Sequence, residues 1–554
     1  MTQSLSAALL AAFAALAEER RPGSWAEMAA VDLAFERSRT RDHGDWASNA
    51  ALKLAKSFGA QPRELAIEIA RRLTETPGIA NVEVAGPGFI NVRLDTAANG
   101  AIAKTIVETG KAFGSNFTQR GRPINLEFVS ANPTGPLHIG HARWAALGDS
   151  IGRLLLASGA TLVREFYIND AGAQVERFGR SVLAAAKGDP TPEDGYPGSY
   201  ITDLAMRVIA AHPDLLGLLV EAQLTTARDR AYDLQLSDLR SSLAKIDVHF
   251  DMWFSERELH PKPENGGPSL VDRAVARLSE KGHVFDEEGA VWVRTTDFGD
   301  DKNRVIRRFN GDYTYFAADA AYYFSKGDRG FAHKIYLLGA DHHGYAPRLK
   351  ALAGAAGDDP EKDIEVLVGQ LVSIDGARLS KRSGNIIELD DLRDWLGTDA
   401  LRYWLERYPM SSPLLLDAEI LRKRTNDNPV FYVQYAHART HNAALKAAAS
   451  GVTRDEFSPG LLAHETESVL LVALHEFLWI VSLAAELREP HRVAHYLEEL
   501  AGLYHRWYDQ CRITPIGGEA VMTVHRSRLW LNDATGQVLR NGLYLLGVSA
   551  PERM

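Results

Sequence analysis

Two histidines, His138 and His141, stand three residues apart in EFVSANPTGPLHIGHARWAALGDS, Glu127 to Ser150. The stretch reads as a buried strand (INLEFVS), a loop stiffened by Pro133 and Pro136, and a helix from His138 with Ile139, Ala142, Ala146 and Ile151 on neighbouring turns. A helix that begins close after a strand presents backbone N–H groups and the positive end of its dipole. Gly140 lets a ligand approach the backbone closely, and both imidazoles can donate to phosphate oxygens as charge develops. The arrangement suits a nucleoside triphosphate. A short H-x-G-H also arises by chance, and two histidines at this spacing can ligate a metal. Against a metal, the chain has no H-E-x-x-H and only one cysteine.

A second cationic element follows the last expected sheet strand. SIDGARLSKRSGN is small, polar and Gly-flanked, and holds Arg378, Lys381 and Arg382. Alone it reads as a solvated basic turn; paired with the histidine loop it reads as a cationic flap that can neutralise a leaving pyrophosphate. DYTYFAADAAYYF places Tyr315 and Asp319 four apart, on one face if the segment is helical. An aromatic ring and a carboxylate there suit a guanidinium, the ring stacking on it and the carboxylate pairing with its fork. Without other signals the same run reads as an aromatic-rich core helix. GADHHGYAPRLKAL follows a strand, and Asp341 can accept from ribose hydroxyls. TDALRYWLERY spells D-A-L-R at Asp399 to Arg402.

The elements that must position these residues follow from periodicity. Residues 1 to about 115 read as a small α/β domain, in which Val82 and Val84, then Ile90, Val92 and Leu94, alternate around Gly-Pro-Gly. KAFGSNFTQRGRP is a polar linker closed by Pro123. From 116 to about 396 the order strand, helix, strand (TLVREFYIND) predicts a parallel, doubly wound α/β sheet. That sheet is expected to be split by a mostly helical insertion at about 181–300 with a hairpin near GAVWVRTT. It resumes at KIYLLGADHHG and IEVLVGQLVSI. From 397 to 554 helix follows helix.

The 554 residues exceed one core, and 45% hydrophobic with 24% charged residues is a globular composition. The formal charge of −10 argues against a uniformly basic nucleic-acid coat but leaves room for a local basic surface. The lone Cys511 favours a reducing compartment. No apolar run approaches the roughly 20 residues of a membrane span. The N-terminal stretch lacks the basic leader of a signal peptide. Its Leu5, Leu9, Phe13 and Leu16 share one helical face, so it reads as the first helix of the fold.

HIGH at His138–His141 and RLSKR at Arg378–Arg382, with an inserted segment between, resemble the signature pair of class I aminoacyl-tRNA synthetases. The second motif departs from K-M-S-K-S, with Arg378 at its first lysine and Arg382 at its last serine, while Lys381 is kept. With HGDWASNAALKLAK, REFYINDAGAQ, GADHHGY, DNPVFYVQYAHAR and LLGVSAPERM, the chain resembles arginyl-tRNA synthetases over nearly its whole length. The resemblance implies a Rossmann-type catalytic domain, an N-terminal domain that contacts the outer corner of tRNA, and an all-α, DALR-type C-terminal anticodon-binding domain. It implies activation of L-arginine by ATP with Mg²⁺, then transfer to tRNA, with no dedicated protein metal site. It implies Glu127, Asn132, His138, Tyr315, Asp319 and His342 around arginine, with Tyr315 and Asp319 at the guanidinium and Glu127 as a second carboxylate. It implies His138, Gly140, His141, Gly339, Asp341 and Lys381 around ATP, and a cytoplasmic, monomeric enzyme without membrane contact. Family members lacking the flap lysine tend to carry a lysine shortly before HIGH; here that position is Gly135, in keeping with Lys381 holding the role. An adenylyltransferase would share H-x-G-H but not the two appended domains. A non-catalytic paralogue would usually lose HIGH or the flap.

Overall fold

The computed structural model describes residues 2–28, 33–38, 43–263, 266–375 and 387–554. At the N-terminus the helix Thr2–Arg20 buries the expected stripe of Leu5, Leu9, Phe13 and Leu16. It packs with an antiparallel sheet of β1 (Glu36–Arg37), β2 (Trp46–Ser48), β3 (Ile79–Ala85) and β4 (Phe89–Leu94), in the order β1-β2-β4-β3. The Gly-Pro-Gly turn sets the β3–β4 register, Val82 facing Val92 and Val84 facing Ile90.

The central region holds β5 (Pro123–Glu127), β6 (Thr161–Ile168), β7 (Met252–Ser255), β8 (Val284–Glu287), β9 (Ala290–Val293), β10 (Arg304–Arg307), β11 (His333–Gly339) and β12 (Ile364–Gly369). Its main sheet has five strands in the order β12-β11-β5-β6-β7, all parallel. Ile124, Leu126, Phe166 and Ile335 are buried in it, the apolar filling of a sheet covered on both faces. From β5 the chain steps to β6 on one side and later to β11 on the other. The crevice between β5 and β11 is therefore the topological switch point, where a parallel sheet places its ligands.

The span expected as one insertion, about 181–300, is composite. Its helices Ser199–Ala211 and Val220–Lys245 lie outside the sheet, but β7 returns to pair with β6. Four residues give no readable period, which is why this strand does not show in the sequence pattern. Beyond it, β8, β9 and β10 form a separate antiparallel sheet.

After β12 come β13 (Val372–Asp375) and, forty residues on, β14 (Leu414–Asp417), paired in parallel. The rest of the C-terminal region is helical, with long helices Pro429–Ala449, Glu465–Leu487, His491–Gln510 and Thr523–Leu545. Against the expectation from sequence, Glu465–Leu487 is by length and composition long and apolar enough to cross a membrane. Here Leu470, Leu471, Leu474, Phe477 and Val481 are buried in the core of the helical region, and Val472 reaches into the N-terminal core.

Several contacts fasten the three regions, two of them close to the linker and the D-A-L-R run. Phe113 of the linker stacks on Phe477 at 6.1 Å, and Asn541 donates to the Gly110 and Phe113 carbonyls. Arg402 of the D-A-L-R run is fully buried. It pairs with Asp149 of the Ile139–Ala157 helix at 2.8 Å and donates to the Leu546, Ile246 and Asp247 carbonyls.

Candidate active site

Glu127 ends β5, and the backbone then turns sharply. Val129 (φ 69°) and Ser130 (φ 37°) are both left-handed, a conformation that costs a β-branched residue energy and persists only where neighbours enforce it. The enforcing contacts are visible. Ser130 Oγ donates to Glu127 Oε1 at 3.0 Å and accepts from the Tyr167 N–H at 3.2 Å. Farther along the loop, Asn132 donates to Gln174 at 2.6 Å, and Tyr200 donates to the Thr134 carbonyl at 3.0 Å.

The loop delivers His138 as the N-cap of the helix Ile139–Ala157. Its Nδ1 accepts from the Gly140 N–H at 3.1 Å, and His141 Nδ1 accepts from the His138 N–H at 3.2 Å. The two rings lie 3.9 Å apart. Burial, and then the neighbouring His138, push the His141 pKa down to about 3. A neutral ring that accepts at Nδ1 carries its proton on Nε2, so His141 is set as a hydrogen-bond donor. The helix amides differ from the sequence expectation. The Gly140 N–H goes to the His138 ring, and the Ile139 N–H donates to the Ile387 carbonyl at 3.2 Å. A Cβ at Gly140 would lie 3.0–3.1 Å from the His138 ring, so the glycine makes room for the ring as well as for any ligand.

The helix Tyr315–Asp328 carries a polar stripe at Tyr315, Asp319, Tyr322 and Lys326, spaced to share one face. Its inner end is closed. Lys326, fully buried, donates to Glu127 at 2.6 Å and lies over the rings of Tyr322 and Tyr336 at 4.4 and 3.9 Å. Tyr322 donates to Glu165 at 2.5 Å, and Arg329 pairs with Glu165 at 2.6 Å. Glu127, expected as the second guanidinium carboxylate, already faces a cation.

The outer end is different. Burial, with the charge of Glu127 adding to it, pushes the Asp319 pKa up to about 6, against a hydrogen bond from Tyr345 and the charge of Arg348. Glu256, just past β7 and buried, is pushed up to about 7 by burial and then by Asp319, while a hydrogen bond from Tyr167 works the other way. Neither carboxylate belongs to an ion pair among the described residues. A cation would relieve two carboxylates raised towards neutrality in this way. Glu256 carried no signal in WFSERELH, because the carboxylate it faces is 63 positions away.

Of the remaining candidates, Tyr315 opens its helix and is 77% exposed. Gly339 ends β11, and Asp341 and the exposed His342 follow in the turn Ala340–Tyr345. Arg378, Lys381 and Arg382 lie outside the described residues. On the far side of that gap, Leu389 N–H donates to the Leu137 carbonyl at 2.8 Å, and Glu388 bridges to His138. Glu127, Asp170, Glu256 and Gly339 thus gather at the C-terminal ends of β5, β6, β7 and β11, beside the histidine-capped helix.

Three family models match the chain: the arginyl tRNA synthetase N terminal domain over 2–94, the tRNA synthetases class I (R) catalytic domain over 225–413, and the DALR anticodon binding domain over 433–554. An arginine–tRNA ligase of Renibacterium salmoninarum is 58% identical over 550 residues, covering 99% of each chain. That of Pseudarthrobacter chlorophenolicus is 60% identical over 528 residues, covering 94% of each. The solved Thermus thermophilus arginyl-tRNA synthetase shares the fold at TM-score 0.74 with 22% identity, over 100% of both chains. With the histidine-capped helix beside the C-terminal ends of the parallel strands, these matches give the chain its place: it belongs to the arginyl-tRNA synthetase family.

Proposed function

We propose that this arginine–tRNA ligase binds the arginine guanidinium between Asp319 and Glu256, with Tyr315 at the mouth, and ATP against His138, His141 and Lys381. The carrying observation is the placement of Asp319 on the helix Tyr315–Asp328 and of buried Glu256 just past β7, two carboxylates that belong to no ion pair among the described residues. Arginine's planar fork can take parallel hydrogen bonds from such a pair, whereas lysine's compact ammonium cannot reproduce them. Asn132 and His138 lie towards the amino-acid backbone; Gly140, Gly339 and Asp341 lie towards the nucleotide.

In the first step the arginine carboxylate attacks the ATP α-phosphorus, forming arginyl-adenylate as the bond to pyrophosphate breaks. The nucleophile is already an anion, so no general base is needed, and catalysis is positioning plus charge stabilisation. His141, neutral and protonated on Nε2, donates to the phosphate without having to change protonation state. ATP enters as its Mg²⁺ complex, in which the ion screens the phosphates. In the second step a hydroxyl of the terminal tRNA ribose attacks the arginyl carbonyl and AMP leaves.

We place the anticodon on the outer face of the helix Pro429–Ala449. Phe431 and Tyr435 stack at 6.1 Å with planes 6° apart, and Arg439 lies over Tyr435 at 4.8 Å and over Tyr508 at 5.4 Å. Beside them a cavity of about 620 Å³ is lined by Trp395, Arg422, Lys423, Arg424 and Arg553. Aromatic steps with interleaved cations suit an unpaired strand. They also give an acidic chain the local basic surface that its net charge leaves open. The enzyme is placed in the cytoplasm as a monomer, with 1–115 and 397–554 as tRNA-contacting domains around the catalytic region.

The test is ATP–pyrophosphate exchange with arginine, with and without tRNA. Exchange that needs arginine, fails with lysine and rises with tRNA supports the reading. Arginine-independent exchange would point to an adenylyltransferase, and no exchange under any condition to a non-catalytic binder.

A further inference from the structure

Asp170, in the run REFYINDAGAQ, stands two residues past the end of β6. Its side chain is fully buried, and both carboxylate oxygens are occupied. Oδ2 accepts from the Ser255 and Tyr232 hydroxyls, each at 2.6 Å, and Oδ1 accepts from the Arg257 N–H at 3.2 Å. The Arg257 side chain closes the cluster. Its Nε donates to the Asp170 carbonyl at 3.0 Å, and its guanidinium lies over the Tyr232 ring at 4.4 Å. Burying a carboxylate is costly even when it is hydrogen-bonded and paired, and an apolar side chain would pack the loop against β7 without that cost. What the carboxylate supplies is an acceptor on each of two oxygens, which neither an apolar side chain nor an amide offers.

Ser255 and Arg257 are the two chain neighbours of Glu256. β6 and β7 run in parallel and end level, with Ile168 opposite Ser255. The loop after β6 therefore lies beside the short turn Glu256–Leu259 that follows β7. Asp170 holds that turn at the residue before Glu256 and at the residue after it. Tyr167, near the end of β6, hydrogen-bonds to the Glu256 carboxyl itself. One strand and its loop thus fix Glu256 through its own side chain and through both flanking residues. The Tyr232 hydroxyl brings the helix Val220–Lys245 to the same Asp170 oxygen as Ser255. The charge of Asp170 also acts on Glu256, adding to burial and to Asp319 in raising its pKa.

We propose that Asp170 is a positioning residue for arginine recognition: by accepting from the Ser255 hydroxyl and the Arg257 N–H it fixes the backbone that carries Glu256, and so the place and direction of the Glu256 carboxylate. It acts through Glu256, because its own oxygens are taken within the protein. The proposal rests on the assignment of Glu256 to the guanidinium, and the experiment separates the two.

Arginine-dependent pyrophosphate exchange, with tRNA present, is measured for Asp170→Asn and Ser255→Ala in the wild-type and the Glu256→Gln backgrounds, together with Tm. Asparagine keeps one acceptor oxygen and turns the other into a donor, so one of the two holds on the turn is lost. A misplacement of about 1 Å costs on the order of 10²-fold, so this partial release should raise the arginine KM about 10-fold in Asp170→Asn and about fivefold in Ser255→Ala, with the ATP KM within about twofold. Glu256→Gln alone should raise the arginine KM more than about 10-fold. Residues acting as one unit are non-additive, so on Glu256→Gln each of the other two changes should cost less than about twofold. A purely structural role would lower Tm and cost the same in both backgrounds, and that result would overturn the proposal. So would arginine and ATP KM values that rise together, or an Asp170→Asn enzyme with the wild-type arginine KM; these leave the Glu256 assignment standing if Glu256→Gln still loses arginine. If Asp170→Asn does not fold, the Ser255→Ala cycle decides alone. A Glu256→Gln enzyme with the wild-type arginine KM would overturn the Glu256 assignment, and this proposal with it.

Discussion

The two ends of the Tyr315–Asp328 helix use the same chemistry in opposite ways. At the inner end the carboxylates of Glu127 and Glu165 meet Lys326 and Arg329, with Tyr322 donating to Glu165. Those charges balance within the chain. At the outer end Asp319 and Glu256 belong to no ion pair among the described residues, and burial raises both although Tyr345 and the charge of Arg348 oppose it at Asp319. The difference separates structural charge from binding charge. Where the protein supplies both signs, the site is closed to ligands. Where its carboxylates stay outside any ion pair, the missing partner is left for the substrate. Lys326 matters to both ends, because without it Glu127 would add a third carboxylate to the pocket.

Breaking the inner end should give the largest effect. Lys326→Met leaves Glu127 buried without its partner, a loss of about 3–5 kcal/mol of stability for one side of a buried pair. Chemical denaturation and Tm measure it. A Lys326→Met protein as stable as wild type would show that the inner pair contributes nothing to the fold, and the contrast between the ends would collapse.

At the outer end the loss should appear in binding instead. Asp319→Asn removes one of two carboxylates from a cation site, and the arginine KM should rise more than about 10²-fold, each 1.4 kcal/mol being a factor of about ten. The ATP KM and the Tm should change little; removing a carboxylate whose pKa burial has raised relieves strain in the empty enzyme. A lower Tm with an unchanged arginine KM would make Asp319 an ordinary helix residue and sink the pocket.

The same pocket predicts a pH dependence. A guanidinium stays protonated throughout, so it binds the ionised pair, and binding displaces whatever protons the carboxylates hold. With Asp319 near 6 and Glu256 near 7, at pH 6 Asp319 is about half protonated and Glu256 mostly protonated, and at pH 8 both are largely ionised. The arginine KM should therefore fall by about 10-fold between these values and level off above, the pair titrating together rather than as two independent sites. In Asp319→Asn the dependence should weaken, since the Asp319 charge is one cause of the raised Glu256. A flat arginine KM from pH 6 to 8 in the wild type would contradict the assignment.

How much of this could be read from the chain depends on how local the signal is. His138, His141, Tyr315 and Asp319 stand in short windows whose spacing already implies a helix start or a helix face. The β3–β4 hairpin and the Thr2–Arg20 helix follow from their periods for the same reason. Glu256, Lys326 and Asp170 do their work against partners 63, 199 and 62 to 87 positions away, and no window contains both members. β7 is too short to show a period. The helix-start amides misled for another reason: backbone donors can be read from an expected helix, but that the His138 ring takes the Gly140 N–H depends on a side-chain rotamer.

Tyr315 gives the smallest and most discriminating effect. It starts the helix at whose second turn Asp319 sits, and at 77% exposure its ring contributes little to the core. A ring over a guanidinium at an exposed site is worth about 0.5–1 kcal/mol. Tyr315→Ala should therefore raise the arginine KM about two- to fivefold with Tm unchanged, and Tyr315→Phe, which keeps the face, should stay close to wild type. If the hydroxyl rather than the ring made the contact, Phe and Ala would lose equally. If the ring only protected the helix start, both KM values would hold steady and Tm would fall in the Ala variant. Arginine KM, ATP KM and Tm for the two variants distinguish the three cases. Only a loss confined to arginine, and restored by Phe, leaves Tyr315 as the aromatic wall of the outer pocket.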